Sequence, residues 1–179
     1  MKRYTFGLFL LLVALSTSCE KEGIALRVDS AIYMRISDSL GRDRLNPEHP
    51  NSLDSSDFLF YFVNLEGETE LQGNFYPWGF EPNWWIFGDP ETGQYTLSFW
   101  LNQPAEEDVR NLRNLDSPEA QEIFGRNYRT LISFSDGDTD TIDTEYKPRV
   151  VEGWVFTEPY RVWYNGVEYP KPFLLQIEK

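Results

Sequence analysis

The acidic stretch "SFSDGDTDTIDTEY" carries the side chains that are best suited to metal chemistry. Within it, Asp136, Asp138 and Asp140 occupy alternate positions, and carboxylate oxygens are ligands that Ca²⁺ prefers. An EF-hand loop counted from Asp136 needs glycine at its sixth position and glutamate at its twelfth. The chain has Thr141 and Lys147 there. The EF-hand is therefore excluded, and a weak calcium site at the three aspartates stays as the alternative to a purely structural turn.

The periodicity of the same stretch predicts a β-hairpin. Its apolar residues stand at even positions, so a straight strand would place the aspartates on the apolar face, where unpaired carboxylates are costly. A turn centred on Gly137 avoids this cost, because it pairs Ile132 with Ile142 and Tyr128 with Tyr146. We therefore expect the aspartates to gather at the tip of the hairpin.

Aromatic residues form a second candidate site. They make up 16% of the chain and include six tryptophans, several of them in the aperiodic segment "FYPWGFEPNWWIF". Exposed rings cover the apolar face of a pyranose while neighbouring polar groups bond its hydroxyls. The candidate ligand-binding residues are Trp78, Trp84, Trp85, Trp100 and Trp163. The alternative interpretation is that these tryptophans fill the ends of a hydrophobic core.

Residues for catalysis are scarce. His49 is the one histidine of the chain, lies in a polar loop and is expected to be solvated. No "GxSxG" elbow accompanies it, Cys19 is the one cysteine, and the ligand spacing of a zinc site is missing. A glycosidase needs only two carboxylates, but with 29 acidic residues no pair stands out. The sequence predicts no enzyme, no catalytic residue and no cofactor beyond weak Ca²⁺.

The N-terminus has the three-part layout of a secretory signal peptide. Lys2 and Arg3 precede an apolar run, which is followed by small residues and then Cys19. We expect residues 1–18 to be cleaved, Cys19 to carry a lipid, and residues 19–23 to form a charged spacer. Ordinary cleavage after Ser16 is the alternative, and it would leave Cys19 as a free thiol.

The charge of the chain narrows the class of partner. The formal net charge is −13, and removal of Lys2 and Arg3 with the signal peptide makes it more negative. Such a field disfavours nucleic acid and anionic headgroups. The expected partners are a membrane, reached through the lipid anchor, and a glycan or an envelope protein.

Alternating patterns predict the strands that must position these residues. In "LRVDSAIYMRI" the apolar residues share one parity, which predicts a single half-buried strand. "FLFYFV", residues 58–63, is apolar on both parities and is expected to be covered on both faces. "GQYTLSFWLN" and "FLLQIEK" alternate again, with Trp100 aligned with polar residues.

Two local signals are more specific. "DSPEAQEIFG" predicts a short helix with Ser117 as N-cap, Pro118 in its first turn and Gly125 at its end. Asn165 and Gly166 form the pair favoured in a type I′ hairpin turn.

Many short strands with frequent turns predict one domain, residues 24–179, with an antiparallel β-sandwich fold. An immunoglobulin-like arrangement is the first choice and a jelly roll or small barrel the second, with at most one short helix.

The signal segment, "DSLGRDRLNP" after the first strand and the "FSDGDTDTIDTEY" hairpin together resemble small surface lipoproteins of Bacteroidota. The resemblance implies a β-sandwich lipid-anchored to the outer membrane, facing the periplasm or the cell surface. It implies no catalytic residues. Two hypotheses for function follow: a glycan-binding module that uses the exposed aromatics, or a structural or protein-interaction subunit of an envelope complex.

Overall fold

Two β-sheets lie face to face in the computed structural model, which describes residues 26–28, 31–72, 84–112, 114–151 and 154–179. The predicted β-sandwich is thereby confirmed. The strands in these residues are β1 Leu26–Val28, β2 Ala31–Ser37, β3 Phe58–Val63, β4 Thr69–Leu71, β5 Trp84–Gly88, β6 Tyr95–Trp100, β7 Tyr128–Phe134, β8 Thr139–Val151, β9 Trp154–Tyr164, β10 Val167–Tyr169 and β11 Leu174–Glu178. The α-helices there are α1 Glu106–Arg110 and α2 Pro118–Phe124.

The sheets differ in size. The large sheet has the strand order β1-β9-β8-β7-β3-β4, with β10 also paired to β9. The small sheet has the order β11-β2-β6-β5. Neighbouring strands are antiparallel, except that β1 runs parallel to β9 and β11 runs parallel to β2. Among the described strands the sheets thus hold seven and four, against the four and three of a constant-type immunoglobulin domain.

Alternation builds the core between the sheets. In β2, β6 and β11, residues of one parity face the large sheet and are buried, as the sequence predicts, while Trp84 and Ile86 of β5 are partly buried against the same core. The large sheet contributes an aromatic layer, in which the rings of Phe58, Phe60 and Phe134 are in contact. The fully buried aliphatic residues of this core include Ile32, Met34, Ile36, Leu97, Ile132, Ile142 and Leu175.

The helices extend the core. Val109 of α1 and Ile123 of α2 join a second buried cluster with Tyr128, Tyr146 and Val155 of the large sheet. The longest strand of the large sheet has 13 residues, whereas the longest of the small sheet has 7. The large sheet therefore extends beyond the small one, and the helices cover a part of its inner face. The prediction of at most one short helix is wrong, because α1 is too short to leave a helical period in the sequence.

The helix predicted from its capping signals is confirmed. α2 begins at Pro118, and the hydroxyl oxygen of Ser117 accepts a hydrogen bond from the Ala120 N–H at 3.2 Å. Gly125 follows the last helical residue. A single side-chain oxygen thus satisfies one of the free N–H groups of the first turn.

The Asn165-Gly166 turn is also confirmed. Both residues have positive φ angles, 48° and 80°, as a type I′ turn requires. The predicted pairs form across it, with Tyr164 opposite Val167 and Trp163 opposite Glu168.

Two strand predictions need correction. The segment predicted as one strand from residue 26 to 36 is divided between β1 in the large sheet and β2 in the small sheet. β3 is not covered on both faces, because Leu59 on its outer side is 46% exposed. Its flanking strands β7 and β4 shield its backbone but leave that face open.

The register of the acidic hairpin differs from the prediction by two residues. β7 and β8 do pair, but Ile132 lies opposite Asp140 and Thr130 lies opposite Ile142. The turn is centred on Asp136, and Gly137 adopts the positive φ of 89° that closes it. Asp140 therefore lies in β8 and not at the tip.

The predicted signal peptide, Cys19 and the spacer fall outside the described residues, and so does Trp78. In the part of the chain that is described, no helix has both the length and the apolar character needed to cross a bilayer.

Candidate functional site

The outer face of the small sheet carries a group of aromatic side chains, which we call the aromatic face: Tyr33, Trp85, Phe87 and Trp100. The strand register places Tyr33 of β2 opposite Ser98 of β6, and Ser98 opposite Trp85 of β5. Tyr33, Trp85 and Phe87 are 45%, 44% and 39% exposed, and Trp100 is half-buried. Three strands thus bring these rings to one side of the sandwich.

Small polar side chains lie between the rings. Thr96 and Ser98 of the central strand β6 are buried, although they point away from the core. The rings of Tyr33 and Phe87 meet edge to face, with centroids 6.2 Å apart. The Ser98 hydroxyl oxygen has no hydrogen-bond partner among the described residues. The aromatic face therefore has a polar floor enclosed by large rings.

A polar pocket of about 220 Å³ adjoins this face. Arg35, Asp43, Gln94 and Gln176 contribute to its lining. Arg35 of β2 has the same parity as Tyr33 and lies opposite Gln176 of β11. Guanidinium and amide groups beside exposed rings form the combination that sugar binding uses.

A second, more apolar groove of about 450 Å³ runs between β5 and the long loop, residues 38–57, which joins β2 to β3. Leu45 and Leu53 line its loop side, and Trp84 and Ile86 line its strand side. The ring of Trp84 lies 4.9 Å from that of Phe60, and its indole N–H donates to the Ser55 carbonyl at 3.3 Å. Trp84 thus packs against the core and does not belong to the aromatic face.

Trp163 lies on the other side of the molecule. It stands in β9 of the large sheet, opposite Asp143, and the guanidinium of Arg161 stacks 4.5 Å from its ring. The carboxylate of Glu168 accepts two hydrogen bonds from Arg161, at 2.9 and 2.8 Å. Of the four predicted platform tryptophans that the structure describes, only Trp85 and Trp100 lie on the same outer face.

Sequence reasoning missed three residues of this region. Tyr33 and Arg35 alternate with the buried residues of β2. This alternation is visible in the sequence and could have placed both side chains on the outer face. Phe87 gives no such signal, because it follows Trp84, Trp85 and Ile86 in an unbroken apolar run.

The three aspartates of the acidic hairpin do not converge. Asp136 is exposed at the turn and accepts a hydrogen bond from the Asp138 N–H at 3.0 Å. The cation beside Asp138 and Asp140 is the ammonium of Lys179, which lies 2.6 Å from the Asp140 carboxylate. No group of three or more potential metal ligands is found in the described residues. Asp136 thus stabilises the turn, and Asp138 and Asp140 form ion pairs with Lys179. The prediction that all three aspartates gather at the tip of the hairpin is corrected, because Asp140 lies in β8.

Asp140 is the centre of a buried polar cluster. Tyr164 donates its hydroxyl hydrogen to the carboxylate, and the Asn165 amide donates at 2.7 Å. Burial, together with the hydrogen bond to Asp140, raises the pKa of Tyr164 far above its ordinary value. Burial works against the charge of Lys179, but its hydrogen bonds to Asp138 and Asp140 still raise its pKa. At neutral pH the Tyr164 hydroxyl therefore keeps its hydrogen and Lys179 keeps its charge.

His49 also differs from its prediction. Its imidazole is largely buried, and the Asn51 N–H donates to Nδ1 at 3.0 Å. Nε2 then carries the hydrogen and donates to Asp38 at 3.2 Å. Hydrogen bonds from Arg42, with a smaller one from His49, hold the pKa of Asp38 far below its usual range. This histidine fixes the fold of the long loop.

The chain matches no protein-family model, no curated protein and no solved structure.

Proposed function

We propose that the protein is a non-enzymatic lipoprotein of the bacterial cell envelope that binds a glycan through the aromatic face. The observation that carries this proposal is the presence of three rings, each about two fifths exposed, on one outer surface. Exposed apolar area of this kind marks binding sites, because burying it in a complex is favourable. The flat rings suit the apolar faces of pyranoses, and the adjoining pocket supplies hydrogen-bonding groups.

The two outer surfaces of the sandwich differ in a way that supports this choice. On the large sheet, Arg161 is paired with Glu168 and Arg129 with Asp143, with two hydrogen bonds in each pair. Even Trp163 there is covered by a guanidinium. These groups are already satisfied by one another, whereas the rings of Tyr33, Trp85 and Phe87 each leave about two fifths of the residue surface exposed to a ligand.

Replacing Trp85 with alanine tests the proposal. The substitution removes one stacking ring without opening the core, so we expect the affinity for the bound oligosaccharide to fall about tenfold. Isothermal titration calorimetry with cello-, chito- and acidic oligosaccharides measures the change. Trp163→Ala is the matched control, because it removes a ring from the opposite surface and should leave the affinity within about twofold of the wild type. Equal losses in both variants would argue against the aromatic face.

The membrane anchor is a separate part of the proposal, supported by the position of Cys19 after the signal-like segment. We expect the full-length protein to partition into the detergent phase of Triton X-114 and to incorporate labelled fatty acid. Cys19→Ala should abolish both properties, since the thiol is the attachment atom of the lipid. A Cys19→Ala protein that is fully processed and still bound to membranes would contradict the anchor.

The second candidate function is that of a protein-interaction subunit of an envelope complex. It is favoured by a row of apolar residues on the outer face of the large sheet, where Tyr61 lies between Leu71 and Leu131. Leu59 and Leu71 are exposed there. A wild-type protein that responds to no oligosaccharide would favour this candidate over glycan binding.

A further inference from the structure

Arg35 differs from the other arginines whose side chains the structure describes. Each of the others has an ion pair or a hydrogen bond, whereas Arg35 forms neither with any residue that the structure describes, and its Nε atom is buried. The partners of the others are Asp38 for Arg42, Asn51 for Arg44, Glu106 for Arg110, Glu122 for Arg126, Asp143 for Arg129, Glu158 for Arg149 and Glu168 for Arg161. A permanent cation is thus left without a direct partner on the surface proposed to bind ligand.

The unsatisfied group of Arg35 is also removed from water. Its Nε atom is buried and has no hydrogen-bond partner among the described residues. A buried donor without a partner carries the full cost of its desolvation. Anionic oxygens are the acceptors that bind a guanidinium most strongly. An anionic ligand would therefore give the Arg35 guanidinium the hydrogen-bond acceptor that the described residues do not provide.

The acidic residues near Arg35 form hydrogen bonds with other groups. Asp43 in the same pocket accepts hydrogen bonds from the N–H groups of Leu45 and Tyr95, at 2.9 and 2.7 Å. Asp89 accepts hydrogen bonds from the Thr92 hydroxyl and the Glu91 N–H. These bonds lower the pKa of Asp89, and the charge of Arg35 adds only a small further lowering. The amides of Gln94 and Gln176 complete the polar lining of the pocket. The pocket therefore offers a ligand one cation without an ion pair and two amides, beside the Asp43 carboxylate, each of whose oxygens already accepts a backbone hydrogen bond.

The pocket adjoins the aromatic face, because Arg35 and Tyr33 lie two residues apart on the same side of β2. Strand β6 runs the length of the face, and the six residue steps from Trp100 to Gln94, which lines the pocket, span roughly 20 Å at 3.3 Å per step. This length suits a chain of several sugars better than a monosaccharide. The formal charge of −13 opposes non-specific attraction of anions. An acidic glycan could thus bind only where a local cation receives its charge.

We propose that the Arg35 pocket receives the carboxylate of an acidic sugar while neighbouring sugars of the same chain stack on Tyr33, Phe87 and Trp85. This inference rests on the proposed glycan-binding function and makes it more specific, because it names the ligand class as carboxylate-bearing oligosaccharides. Arg35 supplies the charge-assisted hydrogen bonds, and the rings supply the apolar contact.

Oligogalacturonides and their methyl esters provide the test, because they share one backbone and differ in the charge of the carboxyl group. Calorimetric titrations of the wild type should show at least about tenfold tighter binding of the acid than of the ester. In Arg35→Gln this preference should fall to within about twofold. Arg110→Gln removes the same charge from α1, away from the pocket, and should keep the wild-type preference. Circular dichroism establishes that each variant is folded.

The outcomes separate this inference from the proposed function. A wild type that binds acid and ester equally well, or binds only neutral chito- or cello-oligosaccharides, overturns the role of Arg35 and leaves glycan binding standing. Retention of the preference by Arg35→Gln also overturns it. A wild type that binds no oligosaccharide at all overturns both.

Discussion

Asp140→Ala is expected to lower the free energy of unfolding by about 3–5 kcal/mol, the range found when one partner of a buried ion pair is removed. Asp140 is 4% exposed and is bonded to Tyr164, Asn165 and Lys179. The alanine leaves the hydroxyl and the amide without their acceptor in a buried site. Urea unfolding at neutral pH measures the change, which should appear as a lower midpoint with an unchanged slope.

Asp136→Ala is the matched control for this prediction. Asp136 belongs to the same hairpin but is exposed and accepts one local hydrogen bond, from the Asp138 N–H. We expect it to cost less than about 1 kcal/mol. Similar losses for the two variants would mean that Asp140 is not the centre of a buried cluster.

Phe60→Ala is expected to destabilise the protein by about 3–5 kcal/mol, the usual cost of removing a buried phenylalanine. Phe60 is fully buried, and its ring centroid lies 4.9 Å from those of both Trp84 and Phe99. It therefore joins the large sheet to two strands of the small sheet. The alanine leaves a cavity between the sheets that the rigid strands cannot fill. Denaturant unfolding followed by circular dichroism measures the loss.

Leu59→Ala controls for strand propensity at the neighbouring position. Leu59 lies on the outer side of β3 and is 46% exposed, so its loss should cost less than about 1 kcal/mol. If Leu59→Ala were as destabilising as Phe60→Ala, the core would not lie between the two sheets.

Features that depend on neighbouring residues could be predicted from the sequence. The cap of α2 needs only Ser117 and the backbone three residues later. The type I′ turn needs only Asn165 and Gly166, and it fixes the pairing of the strands beside it. The inward parity of β2, β6 and β11 follows from the alternation of their own residues.

The register of the acidic hairpin could not be predicted in the same way. The prediction kept Asp140 off the core face, on the reasoning that an unpaired carboxylate there is too costly. The structure places it there with partners from distant parts of the chain, Tyr164 and Lys179. The pairing of a charge is decided by tertiary contacts, which the local pattern of β7 and β8 does not contain.

The aromatic site was predictable only in part. Parity shows that Trp100 and Trp163 point away from the core, and the structure agrees for both. Parity does not show which sheet a strand joins, so it could not separate these two residues onto opposite surfaces. Trp84 and Trp85 are adjacent, and their opposite orientations follow once β5 is placed at the edge of the small sheet.

The most direct test of glycan binding by the aromatic face is a titration of ¹⁵N-labelled protein with an oligosaccharide that binds, followed through its indole N–H signals. Tryptophan-to-phenylalanine variants assign the signals. We expect the signals of Trp85 and Trp100 to shift together and saturate at one affinity, while that of Trp163 stays in place, because Trp163 lies on the opposite surface. A shift of Trp163 with Trp85 and Trp100 unmoved would contradict glycan binding by the aromatic face.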